Sequence, residues 1–160
     1  MPNKNLLTII SVIALTALAF IGYQVQSSFI SPQGVPRATM QDDCDLHQSN
    51  CTALFSDGGK AKLSINPKEI PLLKPLQVEL QLEGIQATDV QLNIIGLNMD
   101  MGINRNSLRG TTDAEKTIFT GVIILPVCSN QRMEWEAQAR ITTIENKVII
   151  AAFQFYTDNK

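Results

Sequence analysis

The chain has 160 residues, a formal net charge of −2 and one histidine, His47. This mildly acidic balance (pI ≈ 5.3), with no basic stretch, argues against a nucleic-acid partner. A lone histidine leaves little from which to build a multi-histidine zinc site or a His–nucleophile pair. There is no glycine-rich phosphate loop either, so an enzyme is not expected.

Charge is missing altogether from Asn5 to Pro36. Within that span lies "LLTIISVIALTALAFIGY", the 18 residues Leu6 to Tyr23. A helix of that length reaches roughly 27 Å, enough to cross a bilayer core. We read residues 1–24 as a transmembrane signal-anchor. Lys4 precedes the run, so the positive-inside tendency places the N-terminus in the cytoplasm. The protein is then a single-pass inner-membrane protein with its C-terminal domain in the periplasm. The alternative is a cleaved signal peptide, because Ala17-Leu18-Ala19 fits an A-x-A cleavage pattern. Against it, Phe20 to Tyr23 carry the apolar run past that cut. Residues 25–39, rich in Ser, Gln, Pro and Gly, read as a linker.

The domain proper, 40–160, opens on "CDLHQSNC", Cys44 to Cys51. With Cys128 there are three cysteines, and an oxidising compartment makes one disulfide the simplest state. Three pairings are open. A bridge to Cys128 closes the longer loop and clips the N-terminal segment to the domain, so the expectation leans that way. The other use of Cys44, His47 and Cys51 is as two thiolates and an imidazole for a metal.

From there the pattern has period two. "AKLSI" (61–65), "LQVELQLEG" (76–84), "DVQLNIIGLNM" (89–99), "IFTGVIILPV" (118–127), "EWEAQARITTI" (134–144) and "KVIIAAFQFYT" (147–157) alternate apolar and polar residues. Trp135, Ala137, Ala139 and Ile141 are expected inside, and Glu134, Glu136, Gln138 and Arg140 outside. Asp57-Gly58-Gly59 and Glu145-Asn146-Lys147 read as hairpin turns. The polar stretch 103–116, with Arg105 and Arg109, reads as a loop able to meet an acidic partner. Six or seven short strands predict an all-β domain: an immunoglobulin-like antiparallel β-sandwich behind one N-terminal transmembrane helix, or a six-stranded barrel.

Two methionine pairs carry the chemistry. Met99 and Met101 stand two apart in "GLNMDMGINR", and Met133 and Trp135 stand two apart in "RMEWEA". If strand geometry persists, each pair shares a face. Thioethers are soft and uncharged and need no deprotonation, which suits Cu(I). An indole face can cap a cation, and Cys128 lies five residues before Met133. The competing reading is that methionine fills irregular core gaps and Trp135 is core.

An N-terminal anchor, a Pro-punctuated entry to a β-domain and Met99-Asp100-Met101-Gly102 together resemble the FixH/YtkA-like group of small membrane-anchored periplasmic proteins. "LPVCSNQRMEW" is also similar to uncharacterised proteins that accompany Sco-type copper chaperones. The resemblance implies an accessory role in copper delivery or cytochrome oxidase assembly, with an oxidase or a copper-delivery protein as partner. The chain departs from that group at Ile103, where a histidine usually follows the glycine. The metal-free alternative is an interaction module that docks on a membrane complex.

A topology test follows from this reading. Alkaline phosphatase fused after residue 40 should be active in a Gram-negative host, and a fluorescent protein fused there by the same route should stay dark. The reverse pair of results contradicts the periplasmic placement.

Overall fold

The structure, a computed structural model, describes residues 34–102, 104–113 and 116–158. The chain divides into two units, Met1–Gly34 and Val35–Lys160. The apolar run 6–23 lies outside the described residues. Among those residues, no helix is long and apolar enough to cross a membrane.

The described chain is all-β. Its strands are β1 (Arg37–Thr39), β2 (Cys51–Leu54), β3 (Lys60–Asn66), β4 (Pro75–Glu83), β5 (Ala87–Gly96), β6 (Asn104–Asp113), β7 (Lys116–Ile124), β8 (Arg132–Thr143) and β9 (Val148–Asp158). They form one sheet in the order β1-β9-β8-β5-β6-β7-β4-β3-β2. The two ends of that order nearly meet. Met40 bridges to Ala53 of β2, and its amide donates to the Ala152 carbonyl of β9 at 2.9 Å. The sheet is thus nearly closed into a barrel.

All six segments with period-two alternation are strands. Their inward positions are buried: Val78, Leu80 and Leu82 on β4, Val90, Leu92 and Ile94 on β5, and Trp135, Ala137, Ala139 and Ile141 on β8. Both expected turns form. The Gly59 amide donates to the Asp57 carboxylate at 3.1 Å in the first, and Asn146 takes a positive φ in the second.

Within the polar stretch 103–116, expected as a loop, the structure has a strand. Asn104 to Asp113 form β6, which pairs with β5 through Asn104–Leu108 and with β7 through Arg109–Asp113. The strand hides because its half-buried positions are polar. Asn106 donates to Asn104 at 2.8 Å, and Asn104 donates to the Ile124 carbonyl at 3.2 Å. Asn104 thus accepts from Asn106 and donates to the backbone, and Leu108 is the apolar residue that β6 buries. Alternation of hydrophobicity, the signal that marks the other strands, is therefore missing here.

The cysteines also correct an expectation. The bond joins Cys44 to Cys51, with Cα atoms 5.6 Å apart, and Cys128 takes no part in it. Both sulfurs of "CDLHQSNC" are consumed, which removes the two-thiolate metal reading. The N-terminal segment gets its anchorage by other means. Leu46 is fully buried, β1 runs parallel to β9, and His47 is tied at both ring nitrogens. Those nitrogens lie 3.0 Å from the Lys68 carbonyl and 2.8 Å from the Tyr156 carbonyl. The backbone amide of His47 donates to Asp45, which holds that carboxyl below its ordinary value against a smaller effect of burial.

Glu136 was expected on the wet face and does sit on the outer side of β8, yet only 5% of it is exposed. Arg37 of β1 reaches across β9 to its carboxylate at 2.6 Å, and Gln138 donates to the same oxygen. Burial alone raises this carboxyl. The hydrogen bonds from Gln138 and Arg37, the charge of Arg37 and a bond from Gln154 outweigh burial and hold it below its ordinary 4.5. A carboxyl depressed by folding stabilises the domain above its ordinary value. That stabilisation disappears as the pH falls through the lower, folded value. Arg37→Ala should therefore cost about 1–2 kcal/mol at pH 7 in urea unfolding. The gap between variant and parent should close as the pH drops below 4.5. A gap that is constant with pH would mean that the pair contributes packing alone.

Candidate functional site: the methionine end

Strand directions give the domain two ends. β3, β5, β7 and β9 finish at one of them, where β4, β6 and β8 begin. The connections 67–74, 97–103 and 125–131 gather there, together with the disulfide loop through His47. Met99, Met101 and Cys128 belong to these connections. Pro36, the entry to β1, lines a cavity at the opposite end with Ile144 and Lys147.

Strand geometry does not persist through Met99 and Met101. β5 stops at Gly96, and the chain then folds back. The Leu97 amide donates to the Glu134 carbonyl at 2.8 Å. Asn98 then acts as an extra rung of the sheet: its amide donates to the Arg132 carbonyl at 3.0 Å and its oxygen accepts from the Glu134 amide at 3.1 Å. Asp100 accepts from the Gly102 amide at 2.8 Å, and Gly102 takes a φ of 70°, a region that glycine enters without cost. The same-face argument for this pair thus fails, and a side-chain-pinned loop takes its place.

That loop brings the methionines together around Gly96. Gly96 stands directly opposite Trp135 in the β5–β8 register. A Cβ built there would collide with the Met99 carbonyl oxygen and the Met133 methyl, and would press on Met101 Cγ at 3.2 Å. Met101 and Met133 therefore pack into the space that the missing side chain leaves. Met133 and Trp135 are 2% and 1% exposed, and Met99 and Met101 are half-buried against the same core. The indole N–H of Trp135 donates to Thr157 at 2.9 Å, which fixes the ring in place. Cys128 sits in the neighbouring connection, half-buried, with its thiol 3.8 Å from the Asn130 carbonyl.

Of the residues singled out from the sequence, Met101 and Met133 meet at Gly96, Met99 reaches it through its backbone, and Trp135 stands opposite it in the register. Sequence reasoning passed over Gly96 and Asn98. Gly96 had a signal: a glycine inside the apolar run "NIIGLNM" marks a close approach of some other group. Asn98 had none, because its role depends on which strand lies beside it.

Chemically, the cluster offers soft, neutral donors on a fixed loop beside an aromatic ring. Among the described residues, no group of three or more His, Cys, Asp or Glu side chains is placed to hold a metal. Thioethers are ligands for a soft ion such as Cu(I). No protein-family model matches the chain, and no curated protein or solved structure matches it either.

The socket makes a sharp prediction. Gly96→Ala should destabilise the domain by about 1–3 kcal/mol, because one of the colliding atoms is backbone and cannot rotate away. Met133→Ala should cost less on top of Gly96→Ala than it does in the parent, because it makes room for the new methyl. Thermal unfolding measures both. A neutral Gly96→Ala would mean that the loop does not press on β5.

Proposed function

We propose that this chain is a membrane-anchored accessory protein whose β-domain lies in the periplasm and binds Cu(I) through Met99, Met101 and Met133, beside Trp135. The observation that carries the reading is the convergence of Met101 and Met133 on Gly96, opposite Trp135. Neutral sulfur ligands keep their lone pairs at any pH, so such a site needs no proton release to load. A loop pinned by Asn98 and Asp100 supports it by holding the donors in place before the ion arrives. The role that fits is accessory: handing copper to an oxidase or to another copper-delivery protein, as the FixH/YtkA-like resemblance implies.

We also read the architecture as immunoglobulin-like. Two groups of strands, β9-β8-β5 and β3-β4-β7, are joined through the shared β6, and the chain crosses from one group to the other after β4 and after β7. This alternation of sheets, with a core tryptophan between them, supports a Greek-key sandwich.

One observation favours a metal-free module. Met133 and Trp135 are buried in the core, and buried methionine is a common gap-filler. In that reading the domain docks on a membrane complex, and its methionines only complete the packing.

A competition titration of reduced protein against a Cu(I) chelator separates the two. The copper reading predicts one Cu(I) per chain at sub-micromolar affinity, weakened by about 100-fold or more in Met99→Leu/Met101→Leu. An unchanged affinity in that variant, or no measurable binding in the parent, leaves the metal-free reading.

A further inference from the structure

The chain's one histidine faces two acceptors at once. Its Nδ1 lies 3.0 Å from the Lys68 carbonyl oxygen and its Nε2 lies 2.8 Å from the Tyr156 carbonyl oxygen. A carbonyl oxygen accepts a hydrogen bond and cannot donate one. A neutral imidazole carries one N–H, so it satisfies one of these oxygens and turns a lone pair on the other. The imidazolium, with a proton on each nitrogen, donates to both. The contacts of His47 therefore fit the charged ring better than either neutral tautomer.

The ring joins three separate parts of the chain. His47 belongs to the loop closed by Cys44 and Cys51, Lys68 to the 67–74 connection, and Tyr156 to β9. β1 pairs with β9 over Ile150–Ala152, so the ring takes a carbonyl of β9 beyond the last residue that β1 pairs. It also lies against the Tyr156 ring, with centroids 4.5 Å apart, and lines a cavity of about 580 Å³ between the connection and β9. On that connection Ile70 and Leu73 hold positive φ, 46° and 57°, a region that bulky side chains avoid. Such a segment keeps its shape through its ties.

Charges of both signs surround the ring. Asp45 of its own loop accepts the His47 amide at 2.9 Å. Glu69 of the connection and Asp158 of β9 line the same cavity. Against them stand Lys68, which donates to the Ser49 carbonyl and to Asn50 at 3.0 and 3.1 Å, and Arg132 of β8, 3.7 Å above the Tyr156 ring. With both signs present, net charge does not choose the state of the ring. The contacts at its two nitrogens do.

We propose that His47 is a proton-operated brace: the doubly protonated ring holds the disulfide loop to the 67–74 connection and to β9 together, and loss of one proton frees one of those ties. An imidazole ordinarily changes charge between about pH 5 and 8. The brace is therefore tight at the acid end of that range and slack at the alkaline end. Leu46 stays buried and the disulfide stays closed, so the loop loosens without coming away. The device uses no residue of the proposed copper site and holds whether or not copper binds.

Hydrogen exchange on the oxidised, untagged full chain in detergent tests it, with each rate corrected for the intrinsic effect of pH. The Gln48 and Ser49 amides donate to the Asp45 carbonyl at 3.0 and 2.9 Å, so their protection reads whether the loop is closed. That protection should fall about fivefold from pH 5 to pH 8, as one hydrogen bond is lost. Asp45 is held below its ordinary 3.8, stays ionised throughout and adds no step of its own. His47→Gln should abolish the pH step, because an amide side chain does not titrate. A second readout needs no variant. In chain labelled with nitrogen-15 histidine, the imidazole should carry protons on both ring nitrogens at pH 5 and on one at pH 8. Protection that does not change with pH overturns the proposal. So does the same step in His47→Gln, or a ring with a single proton at pH 5.

Discussion

Opposite the indole of Trp135, β5 carries a glycine, and a larger residue cannot stand there without moving the backbone of the next loop. That constraint organises the whole methionine end. The indole needs a partner for its N–H and finds Thr157 on β9, so the ring is fixed from one side. On the other side, Gly96 leaves a gap beside it, and Met101 and Met133 fill the gap from a loop and from a strand. Trp135 thus decides how β8 and β9 pack, while Gly96 decides where the 97–103 connection turns.

The sheet itself delivers these parts to one place. β6 pairs with β5 over its first half and with β7 over its second, and this switch turns two groups of strands into one nearly closed sheet. The disulfide and His47 then fold the N-terminal segment onto the same end. The result is a rigid end made of short, pinned connections. Asn98 and Asp100 pin the methionine loop, and the Leu73 amide pins the 67–74 connection to the Leu125 carbonyl. Rigidity of this kind suits binding, because less freedom is lost when a ligand arrives.

Much of this was legible in the sequence, and the reasons are physical. Six strands could be read because one face of each is buried, and burial writes alternation into the residues. β6 could not, because Asn106 and Asn104 form a hydrogen-bonded chain to the Ile124 carbonyl where apolar side chains would normally point. β1 and β2 are too short to show a period. The deep burial of Trp135 was predictable from its glutamate neighbours, whereas the burial of Glu136 was not, since it depends on Arg37 arriving from ninety-nine residues away. The cysteines misled for a similar reason: the expectation gave the N-terminal segment no anchor other than Cys128, and the structure supplies Leu46, His47 and β1. The methionine cluster was half legible. The residues were evident, and the geometry that joins them was not, because it turns on a glycine and an asparagine whose roles are set across strands.

The central claim is that thioethers from a loop and from a strand hold one ion at a single point. Copper K-edge X-ray absorption on selenomethionine-substituted protein, loaded with one equivalent of Cu(I), reads that contact directly. The account predicts selenium in the first shell of the copper, and fewer selenium neighbours once Met101 is replaced by leucine. A first shell of nitrogen and oxygen alone, unaffected by that replacement, would contradict it and leave Met101 and Met133 as packing around Gly96.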